Sequence, residues 1–349
     1  MFSQIDKQIA RNWRKLQIDD RILELIGRKS QRKGPRIAVI GNCQSYGVAY
    51  AIKVMHPTAT VDHYSAIGKT LLDVEVFART LQTYDHVFSH EFPGGHVKGG
   101  SYEDVLRLVP KTILYPALVF PAFHPDQIYL LDETSNYRPL DSAVGPYHSA
   151  LAVFAYHKGL STREANALFN RNVYEAVGYF NVWDDAVREF LTPAKERCKL
   201  DFSNEVVNWA RRGPFMFSTV HPRPFVMHDI ARKILPLAGL EAPEVPFDHF
   251  SIDDLARSEV FPVYPPIAES FGARGSYLFK LANFHLSAGV GEFITLPEYI
   301  ERCYAIYRRA TPAQLRHTRV DGWLSSDSTT QMLVNFAREN SSAGATPVA

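Results

Sequence analysis

Arg36-Ile37-Ala38-Val39-Ile40-Gly41-Asn42-Cys43-Gln44-Ser45 is the stretch whose reading decides the fold. Its first half is short, apolar and rich in branched residues, and it follows the breaker Lys33-Gly34-Pro35, so it predicts a buried strand. From Gln44 to Met55 the pattern becomes helical. Gly41 to Ser45 then form a strand-to-helix turn, where unpaired N–H groups and the positive end of a helix favour an anion. Cys43 in that field is expected to have its thiolate favoured. A small buried cysteine in a purely structural turn is the other reading. Against it stand Asn42 and Gln44, two amide side chains that such a turn does not need.

Outward from this turn the alternation continues. Thr58–His63 predicts a strand, Leu71–Leu81 a helix and Tyr84–Ser89 a third strand. A glycine-rich loop, the helix Tyr102–Val109 and the strand Lys111–Tyr115 follow. The expected class is α/β: an open, mainly parallel, Rossmann-like three-layer sheet. Ligands of such sheets bind at the carboxyl ends of the strands, where Cys43, His90 and the residues after Tyr115 fall. After residue 141 helices dominate: Tyr147–His157, Ser161–Leu168, Asn172–Val177, Asp184–Leu191, Phe225–Leu237 and Pro297–Ala310. Ser161 to Glu164 reads as a capping box, and Pro214–Val220 as one more strand. The expected partition is an amphipathic helix over 1–34, a sheet core over 35–140, a large added helical region over 141–335 and a disordered tail over 336–349.

With 38 basic against 37 acidic residues, the formal charge of +1 gives no surface for coating a polyanion, so nucleic acid is not the expected partner. Three cysteines, Cys43, Cys198 and Cys303, are odd in number and far apart, which excludes a CxxC zinc pattern and a disulfide framework. Met1–Asp20 lacks the apolar core of a secretory leader, and no run of about 18 apolar residues is present. A cytoplasmic protein is expected. Ile5, Ile9, Trp13 and Leu16 share a helix face that precedes basic Arg28, Lys29, Arg32 and Lys33. That helix fits either packing on the core or docking on a membrane surface or assembly.

Several groups outside the turn have the chemistry of a site. Four glycines and Lys98 in Pro93–Ser101 read as a phosphate cradle or as an ordinary mobile loop. The spacing is that of neither a Walker A loop nor a dinucleotide fingerprint. His90-Glu91 with His96 is not HExxH, since Pro93-Gly94-Gly95 forbids the helix, and no metal is expected. His124-Pro125 and His221-Pro222 each follow a strand, and together they point to a shared cleft; Asp126 is placed to orient an imidazole. His148 and Ser149 stand near a helix start, where Arg138 or Arg171 adds charge, although capping alone explains them equally well.

Val39-Ile-Gly-Asn-Cys-Gln44, Phe123-His-Pro-Asp126, Gly145-Pro-Tyr-His-Ser-Ala-Leu151, Ala167-Leu-Phe-Asn170, Tyr174, Gly178-Tyr-Phe180 and Val220-His-Pro-Arg-Pro-Phe225 together resemble the WcbI-like polysaccharide biosynthesis proteins of bacterial capsule loci. The resemblance spans about residues 36 to 310. It implies a coenzyme A-binding protein, an acetyltransferase acting from acetyl-coenzyme A on a capsular sugar, with a sheet likened to that of SGNH hydrolases. Cys43 stands where those hydrolases carry their nucleophile. The chain departs from them in having Gly-Asn-Cys for Gly-Asp-Ser, and Asn283-Phe-His285 in place of a C-terminal Asp-x-x-His.

On this reading Cys43, His124, His221 and Asp126 are the catalytic candidates. Gly41, Asn42, Gln44, Ser45, His90, Lys98, Arg138, His148, Ser149 and Arg223 are the candidates for coenzyme A. Either Cys43 carries the acyl group with a histidine as base, or His124 or His221 deprotonates the sugar hydroxyl for direct attack. In the direct route Asn42, Gln44 and main-chain N–H groups hold the oxyanion. The alternatives are an SGNH-like carbohydrate esterase and a non-catalytic coenzyme A- or glycan-binding subunit.

Overall fold

The computed structural model describes residues 4–14, 22, 25–26, 34–65, 70, 72–92, 94–132, 138–283 and 291–342, with the side chains of 4, 5, 13, 14, 132 and 138 excepted. Arg36–Gly41 is strand β1, buried along its whole length. It pairs in parallel with β2 (Thr60–Ser65), Arg36 opposite Thr60 and Gly41 opposite Ser65. Its other edge pairs in parallel with β3 (His86–Ser89), which in turn pairs with β4 (Thr112–Leu114). The order β2-β1-β3-β4 puts β1 in the interior of an open parallel sheet. That position explains its unbroken apolar run, because a central parallel strand is covered on both faces.

The connections are helices: α2 (Ser45–Met55), α3 (Val74–Leu81) and α4 (Tyr102–Leu108). The pleat sends Ala38 and Ile40 to one face, into a core with Tyr64, Val87, Phe77, Leu81 and Val105. Helix α2 buries Val48, Ala51, Ile52 and Met55. Its Gly47 meets the helix Pro224–Ile234 so closely that an added Cβ would lie 2.8 Å from Met227 Cγ. Helix α3 starts three residues later than the apolar pattern predicts. Asp73 is extended, and the Val74 N–H donates to the Lys98 carbonyl at 3.0 Å, so the start is set by a distant loop.

The first helix, α1 (Gln4–Arg14), packs on this sheet. Ile9 is buried, Asp6 accepts from the Leu72 N–H at 3.0 Å, and Asn12 donates to Tyr64 and Tyr84 at 2.8 and 3.2 Å. Ile9 of the apolar stripe therefore faces core; the side chains of Ile5 and Trp13, and Leu16 with the basic stretch after it, lie outside the described part. Among the described residues no helix is long and apolar enough to cross a membrane.

The chain does not divide at residue 140. Residues 1–118, 189–206 and 221–255 form one compact unit, and 119–188, 207–220 and 256–349 a second. Each unit is completed by segments distant in sequence, which no local pattern reveals. Of the tail expected to be disordered over 336–349, residues 336–342 form the end of a helix, Asp327–Ser342. Leu333, Val334 and Ala337 fasten that helix to the second core; residues 343–349 lie outside the described part. Helices Ser203–Arg211 and Thr318–Ser325 have no counterpart in the sequence reading.

In the second unit Ala150–His157 is buried on nearly every side, matching its continuous apolar run. Beside it the fully buried Asp126 gathers the surrounding polar groups. Tyr179 and Tyr264 donate to its two oxygens at 2.6 and 2.9 Å, and the Leu151 N–H adds 3.0 Å. A hydrogen bond with Ser149 joins them. Removing a shared acceptor leaves buried donors unpaired, at about 1–3 kcal/mol each. Asp126→Ala is therefore expected to lower unfolding free energy by about 3–5 kcal/mol and Asp126→Asn by less, since an amide oxygen still accepts. Urea denaturation checks the ranking, and an Asp126→Ala loss smaller than that of Tyr179→Phe would contradict it.

Candidate functional site

The turn after β1 is held by a histidine from the neighbouring strand end. The Asn42 N–H donates to His90 Nε2, and His90 Nδ1–H donates to the Glu91 carbonyl at 2.8 Å. This pattern assigns a neutral ring with its proton on Nδ1. Burial pushes the His90 pKa down to about 4, with the Glu91 carbonyl opposing. Tyr115 stands edge-on to the ring at 5.7 Å and donates to the Ile40 carbonyl at 3.0 Å. Gly41 lies between these two side chains. An added Cβ would overlap His90 and come within 2.8 Å of the Tyr115 oxygen, so glycine is required there by close approach.

The amide side chains serve the turn itself. Asn42 Oδ1 accepts the Gln44 N–H at 2.9 Å, an Asx turn, and its carbonyl accepts Ser45 N–H and Oγ–H at 3.1 and 2.7 Å. The buried Gln44 side chain pairs with Leu118 like a strand neighbour, donating to its carbonyl at 2.8 Å and accepting its N–H at 3.0 Å. Gln44 is thus committed to the loop after β4 and is not the oxyanion donor expected from the sequence. Ser45 is spent on starting α2.

Cys43 is half-buried at this turn. Its sulfur is met by its own N–H and that of Gln44, both of which favour a thiolate. Burial outweighs them and pushes the thiol up to about 11. The thiolate expected from the helix field is therefore corrected, because desolvation of the charge is the larger effect. Beside the sulfur opens a small cleft of about 20 Å³, lined by Tyr46, Gly47, Tyr50, Met227, Phe247, Ile252 and Leu255, with Pro222, Pro224, Asp253 and Asp254. Tyr46 and Tyr50 stack at 6.2 Å, and His63 meets Tyr46 edge-on at 5.3 Å. The four-residue spacing of the two tyrosines on α2 announces a shared face. Met227, Phe247 and the two aspartates carry no local signal.

The remaining candidates are distributed between the units. His221 is buried in the first unit, and Arg223 stands before helix Pro224–Ile234, its pKa lowered by burial against the pull of Asp253. His124 and Asp126 are buried in the second unit. His124 Nε2 lies 3.3 Å from the Met216 carbonyl. Asp126 spends its carboxylate on Tyr179, Tyr264, Ser149 and Leu151, so the role of orienting an imidazole is not the one these contacts show.

His148 is likewise internal. It bridges the Tyr307 hydroxyl at 3.0 Å and the Leu140 carbonyl at 2.8 Å, with its pKa pushed down to about 4 by burial. Ser149 caps the next helix, accepting the Ala152 N–H at 3.1 Å. Both therefore do packing and capping work in place of holding a cofactor. Lys98 pairs with Asp73 at 3.1 Å, and Gly100 abuts Val74, so the glycine loop closes on the start of α3. The Arg138 side chain and His285 lie outside the described residues. Among the described residues no three His, Cys, Asp or Glu side chains are grouped to hold a metal ion.

A family model described as the polysaccharide biosynthesis enzyme WcbI matches residues 36–243, a span that includes every candidate named for the site. Among solved structures the chain is similar to one described as WcbI, a novel polysaccharide biosynthesis enzyme, in native form without a disulfide bond between coenzyme A and one of its cysteines. The TM-score is 0.61 over 87% of this chain and 99% of that one, at 13% identity, so the likeness is one of fold. No curated protein matches the chain.

The neutral His90 makes the turn sensitive to acid. Its folded pKa of about 4 lies below the ordinary 6.5, so its contribution to stability is complete above pH 6.5. Between pH 6.5 and 4 the unfolded chain binds the proton that the folded one refuses, and up to about 3 kcal/mol is lost. The His90 Cε1–H resonance is expected to titrate near pH 4, and a midpoint near 6.5 would contradict the buried acceptor role. Gly41→Ala, by displacing the ring, is expected to raise that midpoint.

Proposed function

The chain belongs to the WcbI family of polysaccharide biosynthesis enzymes, and from that premise we propose that it transfers an acyl group, acetyl in the first instance, from coenzyme A to a sugar hydroxyl. The observation that carries this reading is the Cys43 sulfur at the mouth of an aromatic cleft, faced by two main-chain N–H groups. The lining fits the less polar parts of coenzyme A: Tyr46, Tyr50, Met227 and Phe247 present apolar surface to a pantetheine arm. Asp253 and Asp254 disfavour phosphates at the same place. The phosphates then belong toward cations outside the lining, with Arg223 next to Pro222 and Pro224 in sequence.

When bound, coenzyme A supplies an acyl group activated as a thioester. The protein's own groups favour direct attack by the sugar. At pH 7 a thiol of pKa about 11 is ionised in only about one molecule in 10⁴, so Cys43 is a poor acyl carrier in this state. Its own N–H is the preorganised donor for an oxyanion, because the Gln44 N–H is held by Asn42 Oδ1 and the Gln44 side chain by Leu118. His90 cannot be the base, because its lone pair already accepts the Asn42 N–H. Of the proposed catalytic histidines, His221 shares a unit with Cys43 and is assigned the sugar proton. In the transfer the sugar oxygen would bond to the acyl carbon while its proton passes to the His221 imidazole; the carbon–sulfur bond would break, and the departing thiolate would take that proton from the imidazolium and leave as the thiol.

Calorimetric titration tests the reading. Coenzyme A is expected to bind the native chain near micromolar, about −8 kcal/mol. Cys43→Ala is expected to keep binding within about tenfold, since it removes one contact of many. Incubation with acetyl-coenzyme A should leave Cys43 unacetylated by intact mass. An acetylated Cys43 would replace direct attack by a covalent route. Absence of binding at millimolar coenzyme A, with hydrolysis of an aryl ester, would overturn the transferase reading in favour of an esterase.

A further inference from the structure

We propose that an open groove of about 800 Å³ in the second unit is the glycan site of this protein, built for a sugar chain bearing a carboxylate or a phosphate. The proposal rests on the reading of the protein as a transferase to sugar and names the acceptor's chemistry. The groove is lined by Gln127, Tyr129, Thr219, Arg316, His317 and Arg319, among others. Its volume is in the range of small-molecule sites, and its lining is mixed in the way a sugar requires.

The hydrogen-bonding groups are fixed and rich in donors. Gln127 is locked to Thr219 by a reciprocal pair, its Nε2 donating to Oγ1 at 3.0 Å and its Oε1 accepting the N–H at 3.2 Å. The Thr219 oxygen therefore accepts within the protein and its own proton is left to donate. His317 Nδ1 accepts the Arg319 N–H at 3.2 Å, which leaves Nε2–H as a donor on the neutral ring. Arg316 donates from Nε to both oxygens of Asp321 at 2.9 Å. That bond holds the guanidinium while its two terminal amino groups remain for an anion. Arg319 is steadied by the Pro125 carbonyl and the face of Tyr179.

Two guanidinium groups thus stand against the single carboxylate of Asp321, a balance that favours an acceptor-rich anionic ligand. Apolar surface for sugar C–H faces is present as well. Tyr129 is braced edge-on against Tyr147 at 5.6 Å, and Val119 and Leu131, also in the lining, are 52% and 44% exposed.

The test is calorimetric titration of the full chain with trigalacturonate, glucose 1-phosphate, neutral maltotriose and inorganic phosphate, beside coenzyme A. At least one of the two anionic sugars is expected to bind, and which one does identifies the anion as carboxylate or phosphate. Arg316→Gln should weaken that binding about tenfold and Tyr129→Leu about fivefold, with coenzyme A affinity unchanged in both. The proposal is overturned if neither anionic sugar binds, if maltotriose or inorganic phosphate binds as tightly, or if both variants leave sugar binding intact. Parallel loss of coenzyme A affinity in Arg316→Gln would assign the groove to cofactor phosphates and overturn it too. Sugar binding without coenzyme A binding would sink the transferase reading alone; coenzyme A binding without sugar binding would sink only the groove.

Discussion

The hydrogen bond from the Asn42 N–H to His90 Nε2 ties the carboxyl end of β1 to that of β3, and the geometry of the turn follows from it. A neutral imidazole is needed, because a protonated ring would set a donor against a donor. Burial supplies that neutrality by making the charged form costly. The ring can reach the main chain only where no side chain intervenes, which is why Gly41 stands at the last position of β1. Tyr115 then closes the other side by bonding the Ile40 carbonyl.

With the turn held in this way, its polar groups are almost all internally engaged. Asn42 starts helix α2, and Gln44 fastens the loop after β4. Buried amides and hydroxyls must find partners, so side chains suited to binding a ligand are the same ones that satisfy exposed main chain at a strand end. At the turn, Cys43 is what faces the cleft. Its high thiol pKa follows from the same burial that keeps His90 neutral.

The second unit repeats the principle around an acid. Asp126 is tolerated away from water because Tyr179, Tyr264, Ser149 and the Leu151 N–H all donate to it. The tyrosines, apolar over most of their surface, extend the core of the helix Ala150–His157 while their hydroxyls converge on one carboxylate. His148 is satisfied in the same way, between Tyr307 and Leu140. A residue type that signals catalysis in a sequence signals, with equal force, a buried polar group that needs company.

By itself the sequence determined the parallel sheet, its central strand to the residue, the strand-to-helix turn and the cysteine at its mouth. These rest on short-range physics: an apolar run of strand length, a glycine where the chain turns, a helical period after it. The capping box at Ser161 was legible for the same reason. Tertiary structure alone decided which polar side chains are spent, since whether Gln44 meets Leu118 or a substrate depends on a contact 74 residues away. It also decided the two units, assembled from segments that no local pattern connects, and the thiol's protonation, because desolvation is a property of the packed surroundings and not of the residue.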